Sequence, residues 1–170
     1  MQNLLILATP RSGSSALYQA IASNYFEYHA YYEPWSKWNP VEVKGEHIVK
    51  SLIHHRKQWS DIINNYDKVI YISRRNKEAG YRSYLQATNT RNFVEKYKLD
   101  NDLKENKNIK KFYYHIHDRL EKEAQNKIWY YEDLFYSEQE INKLIRHHKL
   151  KIRHIDRFYN YFKPEYAYEY

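Results

Sequence analysis

Residues 4–17 read LLILATPRSGSSAL, and this stretch decides the fold of the chain. Its first part extends from Asn3 to Ala8 as a short continuous apolar run, which is typical of a strand buried in a parallel sheet. Its last part begins at Ser14 and predicts a helix over residues 14–25, because apolar residues recur at helical spacing: Ala16, Leu17, Ala20 and Ile21. A buried strand that runs directly into a helix is the basic unit of α/β folds.

The rest of the chain continues this alternation of strands and helices. Further strands are predicted over residues 26–32, 47–52, 68–73 and 127–131. Further helices are predicted over residues 55–65 and 77–97, from Ile109 through Leu120, and from the capping box that Ser137 forms with Glu140. Residues 33–45 and 99–108 are predicted as loops. The alternation indicates one domain over residues 1–170, a three-layer α/β/α fold with a parallel β-sheet and helices on both faces, similar to P-loop NTPases.

Composition narrows the possible partners. The 170 residues contain 28 Lys and Arg against 21 Asp and Glu, and the net charge of +7 favours an anionic partner such as a phosphorylated small molecule, a nucleic acid or an anionic membrane surface. No cysteine is present, which excludes disulfide scaffolds, thiol catalysis and thiolate metal sites. The run Leu4 to Leu7 is too short for a signal-peptide core, and no apolar run approaches the roughly 20 residues that span a bilayer. We therefore expect a cytoplasmic protein without a membrane partner.

The loop between the first strand and the first helix has the composition of an anion site. It contains Arg11, Ser12, Gly13, Ser14 and Ser15. The N–H groups at a helix N-terminus bind anions, glycine lets the backbone approach an oxyanion closely, and the arginine and the hydroxyl groups add donors.

The loop differs from the nucleotide-triphosphate P-loop, G-x-x-x-x-G-K-[ST]. Ala8 stands at the position of its first glycine and Ser14 at that of its lysine. No predicted strand ends in the Asp that would hold Mg²⁺ in that class. These differences disfavour a nucleotide kinase.

Residues 9–15, TPRSGSS, resemble the 5′-phosphosulfate loop of the sulfotransferases that use 3′-phosphoadenosine 5′-phosphosulfate (PAPS). The resemblance implies that Arg11, Gly13, Ser14 and Ser15, with Ser12 between them, wrap the 5′-phosphosulfate. Many members have next an aromatic residue that stacks on adenine, whereas this chain has Ala16. Within the family, the reaction leaves 3′,5′-adenosine bisphosphate (PAP) as product.

Two more segments resemble motifs of the same family. The strand over 68–73 is followed by Arg75, and Ser83 lies eight residues further along; this is the layout of the family's 3′-phosphate motif. Residues 128–134, IWYYEDL, resemble the family's strand that ends in Tyr-Glu-Asp-Leu, which makes Tyr131 a candidate adenine contact. The Gly-rich C-terminal loop of many cytosolic members is missing. The resemblance leaves open whether a basic residue of the tail takes its place: Lys151, Arg153 or Arg157.

The resemblance also points to catalytic residues. Cytosolic aryl and steroid members have a Lys-Thr-His strand, and here that strand keeps Lys50 but has Leu52 at the histidine position. Branches that act on tyrosyl peptides or sugars use a glutamate after the second strand, where this chain has Glu33. The hypothesis is that Glu33 is the base and that Lys50, with Arg11, stabilises the leaving phosphate. His54 and His55 are the alternative bases.

The aromatic residues that flank Glu33 have two interpretations. They line an acceptor pocket, or they pack in the core and loops: Tyr31, Tyr32, Trp35 and Trp38.

The histidine pairs 115/117 and 147/148 point apart on helices, so we expect no metal. The acceptor is expected to be a small molecule, a glycan or a peptide rather than a nucleic acid. The alternative function is a basic nucleic-acid-binding module, and a small kinase-like nucleotide-binding protein is a third.

Overall fold

The structure is a computed structural model, and it describes residues 3–25, 27–37, 40–91, 103–125 and 127–162. Five strands form one all-parallel sheet in the order β2-β3-β1-β4-β5. The strands are β1 (Leu4–Ala8), β2 (His29–Tyr32), β3 (His47–Leu52), β4 (Lys68–Ser73) and β5 (Ile128–Tyr130). The helices are α1 (Ser14–Ala22), α2 (Ser60–Ile63), α3 (Lys77–Thr90), α4 (Lys107–Ala124), α5 (Tyr131–Tyr136), α6 (Glu138–His147) and α7 (Ile155–Asn160). None of the helices in these ranges combines the length and the apolarity that a membrane crossing requires.

Two hydrophobic cores cover the two faces of the sheet, which confirms the predicted α/β/α layers. Strand β1 contributes to both, because Leu4 and Ile6 face one core while Leu5 and Leu7 face the other. The first core is completed by α1, α5, α6 and α7, and the second by α3, α4 and the residues around Trp59. All five residues of β1 are fully buried, as its continuous apolar sequence predicts.

The predicted elements differ from the structure in several places, and two of the differences are small: α1 ends at Ala22 rather than at residue 25, and β2 begins only at His29. The helix predicted over 55–65 is a 3-10 turn (Ile53–His55) followed by the short α2, because Trp59 is buried between them and its indole N–H donates to Ile53 O at 2.7 Å. Residue 131 begins α5 rather than ending a strand, and α7 forms in the tail, where no helix was predicted. Helix α3 ends at Thr90, and residues 92–102 lie outside the described residues.

A buried polar chain crosses the second core behind the loop that follows β1. Thr9 Oγ1 lies 3.3 Å from Ser73 Oγ, which lies 3.0 Å from Nδ1 of His117 on α4. All three side chains are almost completely buried. Burial, together with the nearby cations Lys77 and Arg74, lowers the pKa of His117 to about 3.

This histidine makes the stability of the fold depend on pH. An unfolded histidine binds a proton below about pH 6.5, whereas His117 in the folded chain stays neutral until about pH 3, so the free energy of unfolding falls as the pH drops through this interval. The slope that one such histidine contributes is about 1.4 kcal/mol per pH unit. We expect His117→Asn, which keeps a polar atom near Ser73, to show a shallower loss of stability between pH 6 and pH 4 in urea titrations.

The matched control is His115→Asn, because His115 is exposed on the same helix. It should retain the pH dependence of the wild-type chain. Equal slopes in wild type and His117→Asn would show that His117 is not the group responsible.

Candidate functional site

The predicted site residues gather at one edge of the sheet because the strands are parallel and in register. Ala8 pairs with Leu52 of β3 and with Ile72 of β4, so these three strands end at the same level. On the other side of β3, Tyr32 pairs with Lys50, which places the residue after β2 at the same edge. Ligands of open α/β sheets bind at this carboxyl edge.

The loop after β1 ends at Gly13, which is the N-cap residue of α1 and has a left-handed backbone with φ 71°. A Cβ at this position would lie 2.7 Å from Cδ2 of Tyr131 and 2.6 Å from Cε2 of Phe135, so the packing of α5 as well as the backbone requires glycine. Gly13 has no side chain with which to cap the helix. Its carbonyl accepts from the N–H groups of Ala16 and Leu17, and the earlier N–H groups of α1 are placed to bind an anion.

The side chains of this loop have different surroundings. Ser12 is buried, and its hydroxyl donates to Thr9 O at 2.7 Å, so it closes the turn instead of facing a ligand. Arg11 Nε donates to Ser83 Oγ at 2.9 Å and thereby links the loop to α3. Ser14 is buried at the start of α1, whereas Ser15 is partly exposed. Arg11, Ser14 and Ser15 therefore surround the N-terminus of the helix.

A hydrogen-bonded chain joins this loop to the predicted base. Ser15 Oγ lies 2.8 Å from the hydroxyl of Tyr32, and Lys50 Nζ donates to that hydroxyl at 3.3 Å. Lys50 also forms an ion pair with Glu33. The lysine side chain is only 3% exposed, so these neighbours, rather than water, must stabilise its positive charge. Its ammonium also lies 4.3 Å from the centre of the Tyr32 ring. Sequence reasoning treated Tyr32 only as one of several flanking aromatic residues.

His55 extends the chain beyond Glu33. Its Nδ1 lies 3.1 Å from Ser51 Oγ and 3.5 Å from the backbone N–H of Leu52, which can only donate, so Nδ1 accepts and the proton of the neutral ring is on Nε2. Nε2 lies 3.8 Å from Oε2 of Glu33. Burial lowers the pKa of His55, and the effect of nearby Glu33 opposes this. His55 thus presents its Nε2 proton to the side of Glu33, and acting as the alternative base would require the other tautomer of its ring.

His54 is the second alternative base, and its surroundings differ from those of His55. Its ring packs edge-on against Phe112 of α4, with ring centres 5.6 Å apart. Burial, with the nearby charges of His55 and Lys50, lowers its pKa to about 4. The contacts found for His54 are with α4 and His55 and do not include Glu33, so the structure favours His55 over His54 as the partner of that carboxylate.

Backbone strain occurs at two of the predicted functional residues. Arg11 has φ 61° and Glu33 has φ 51°, a region that non-glycine residues rarely adopt. The other non-glycine residues with positive φ in the described ranges follow the C-terminal ends of helices: Arg91, Gln125 and Lys149. Arg11 and Glu33 instead follow strands β1 and β2. Strain of this kind costs of order 1–3 kcal/mol and concentrates at functional sites.

The two residues of the predicted 3′-phosphate motif have different partners in the structure. The Arg75 guanidinium forms two hydrogen bonds of 2.8 Å to Asp133, whereas Ser83 accepts from Arg11. The carboxylate of Glu132 accepts from the N–H groups of Arg75 and Asn76 at the start of α3. The acidic pair of α5 thus occupies the Arg75 guanidinium and the N–H groups at the start of α3.

Arg74 is a functional candidate to which the sequence motifs assign no specific role. Its side chain is 2% exposed, its guanidinium lies 4.4 Å from the centre of the Tyr131 ring, and its Nη1 donates to Arg11 O at 3.4 Å. Glu132 Oε1 lies 3.7 Å from its Nε. The signal for Arg74 was its position next to Arg75, but only the packing of α5 shows which of the two arginines turns toward the loop.

Tyr131, the candidate adenine contact, is packed inside the protein. Its ring is 4% exposed, and it lies between Gly13, Phe135 and the guanidinium of Arg74. In this arrangement it supports the loop that follows β1.

Two of the three basic residues considered for the missing C-terminal loop lie far from the loop that follows β1. The backbone N–H groups of Lys151 and Arg153 donate to Tyr25 and Asn24, just beyond the C-terminal end of α1, and the Arg153 side chain pairs with Glu27. The nine residues of α1 separate these contacts from its N-terminus by about 13 Å. These contacts hold Lys151 and Arg153 at the C-terminal end of α1, and Arg157 is exposed on α7.

The buried ion pair should contribute measurably to stability. Glu33→Ala leaves the buried ammonium of Lys50 without its counter-ion, and we expect it to lower the free energy of unfolding by about 3 kcal/mol. Lys50→Met fills the same space without a charge and should be milder. The double variant should be less destabilised than the sum of the two single variants, measured by urea unfolding. Strict additivity would contradict the ion pair.

The part of the chain that the structure describes contains no group of three or more His, Asp or Glu side chains that could hold a metal ion. Comparison of the chain with protein-family models, with curated proteins and with solved structures found no match. Functional interpretation therefore depends on the residues at the carboxyl edge of the sheet.

Proposed function

We propose that the protein is a sulfotransferase that moves a sulfuryl group from PAPS to an acceptor hydroxyl or amine. The observation that supports this proposal is the continuous chain of contacts from Ser15 through Tyr32 and Lys50 to Glu33. It connects an anion-binding helix N-terminus to a carboxylate, and a group transfer from a bound phosphate ester needs these two features side by side.

The donor set at the loop fits a phosphosulfate. The N-terminal N–H groups of α1, the hydroxyl groups of Ser14 and Ser15 and the guanidinium of Arg11 would hold the 5′ end of the donor. Ser12 would act through the shape of the loop, because its hydroxyl is bound to Thr9 O. PAPS supplies the sulfuryl group and a phosphate leaving group.

The catalytic roles follow from the positions of Glu33 and Lys50. Glu33 accepts the proton of the acceptor hydroxyl while the acceptor oxygen bonds to sulfur and the bond between sulfur and the phosphate oxygen breaks. Lys50, with Arg11, stabilises the negative charge that develops on that phosphate oxygen. His55 orients the second carboxylate oxygen of Glu33. The proposal needs no metal, since positioning and fixed charges can carry the transfer.

The residues expected to bind the 3′-phosphate and the adenine have other partners in the structure. Arg75 would have to exchange Asp133 for the 3′-phosphate, and Ser83 would have to share its hydroxyl with Arg11. Tyr131 would contact adenine only if α5 shifted, because its ring is buried. Arg74, close to Arg11 and to Tyr131, is a further cation near the same position.

Ligand-induced stabilisation distinguishes the proposed function from its alternatives. We expect PAP to raise the melting temperature, since a ligand that binds only the folded state stabilises it, whereas ATP with Mg²⁺ and a single-stranded oligonucleotide should have little effect. Adenosine 5′-monophosphate is the control for the 3′-phosphate. Stabilisation by the oligonucleotide alone would support a nucleic-acid-binding module, and stabilisation by ATP with Mg²⁺ alone would support a nucleotide kinase.

The role of Glu33 is tested by Glu33→Gln, which keeps the size of the side chain but removes the base. We expect sulfuryl transfer to fall at least 100-fold while the affinity for PAP, measured by calorimetry, changes less than threefold. The control is Glu46→Gln, because Glu46 is an exposed carboxylate outside the site. Full activity of Glu33→Gln would exclude Glu33 as the base and leave His55 as the alternative.

A further inference from the structure

A groove opens beside Glu33, at the far end of the contact chain from Ser15. Its volume is about 640 Å³, and its lining residues come from the segment after β2 and from the turn after β3: Pro34, Trp35, Pro40, Val41, Glu42, Val43, His55 and Arg56. His55 belongs both to this lining and to the contacts of Glu33, whose Oε2 lies 3.8 Å from its Nε2. A molecule in the groove therefore contacts His55 and Pro34, the two lining residues that lie next to Glu33.

The walls of the groove are mostly apolar and are held in place by the backbone. The N–H of Val41 donates to Pro34 O at 2.8 Å, and the N–H of Ser36 donates to Glu33 O at 3.0 Å, so these described residues are held by backbone hydrogen bonds. Trp35 packs edge-on against the fully buried Trp59, with ring centres 5.5 Å apart. An aromatic side chain anchored in this way, beside proline and valine, suits a flat apolar ring.

Two side chains of opposite charge line the groove, Glu42 and Arg56. Arg56 is exposed, and its guanidinium carbon lies 5.4 Å from the centre of the Trp35 ring. No acidic side chain of the described ranges forms an ion pair with Arg56, whereas Glu42 pairs with Lys44 at 2.9 Å. The backbone carbonyl of Arg56 accepts from Arg119 of α4, which anchors the residue. A planar guanidinium at an apolar wall matches a carboxylate on the ligand.

We propose that the groove is the acceptor site and that its ligand is a small phenol carrying a carboxylate, with the ring against Trp35 and the carboxylate on Arg56. The function assigned to the groove rests on the proposed sulfuryl transfer, whereas the binding itself does not. A free sugar fits less well, because its many hydroxyl groups need polar partners and only Glu42, His55 and Arg56 among the lining side chains can hydrogen-bond strongly.

The test is a binding titration of the whole chain, followed by NMR, with and without PAP. The probes are 4-hydroxybenzoate, 4-hydroxyphenylacetate and 3-(4-hydroxyphenyl)propionate, which place the carboxylate at three distances from the hydroxyl, each compared with its uncharged amide. We expect at least one acid to bind tenfold or more tightly than its amide. Arg56→Gln should remove this preference, whereas Lys57→Gln, which removes an exposed charge on the next residue, should keep it.

The outcomes separate this inference from the proposed function. If none of the acids binds, if acid and amide bind equally, or if Arg56→Gln keeps the preference, the groove does not select a carboxylate and the inference is wrong, even where PAP stabilises the protein. If methyl glucuronoside binds more tightly than every phenol, the inference that the ligand has an aromatic ring is wrong. If the acids bind through Arg56 but PAP neither binds nor leads to transfer, the groove site stands and the sulfotransferase proposal fails.

Discussion

The pairing of β1 on both of its edges is the constraint on which the other parts of the structure depend. Its residues are fully buried, so their N–H and C=O groups must find partners in β3 and β4. Parallel pairing in this register makes the neighbouring strands end together near Ala8. The loop after β1, the Lys50 region of β3 and the arginines after β4 are brought to one edge as a consequence, although they are distant in sequence.

At this edge, the buried positive charge of Lys50 is stabilised by polar contacts. Lys50 is almost inaccessible to solvent, and it is tolerated because Glu33 provides the opposite charge and Tyr32 provides both a hydroxyl and a ring face. Glu33 is held in return by its backbone, since its N–H donates to Lys50 O at 2.7 Å. The left-handed backbone at Glu33 is thus compensated by two contacts to a single residue of the neighbouring strand.

The differences between the predicted and the observed site arise on the side of α5. Local sequence placed Arg75 and Ser83 on one anion because an interval of eight residues is two turns of helix. In the structure, Arg75 instead donates to Asp133, and Arg74 packs against the ring of Tyr131. Both contacts arise because α5 packs against the start of α3. Local spacing could not show this, because the competing carboxylates come from a segment more than fifty residues away.

The sequence by itself determined the parallel α/β fold and the helix that follows β1, because continuous apolar strands and helical periodicity are local properties of the chain. Only the tertiary structure decided the rest. It linked Ser15 to Glu33 through Tyr32 and Lys50, and it placed His55 rather than His54 beside Glu33. It also held Lys151 and Arg153 at the opposite end of α1 and formed the groove beside Trp35 and Arg56. These features depend on which side chains of distant segments share the same space, and a linear sequence does not contain that geometry.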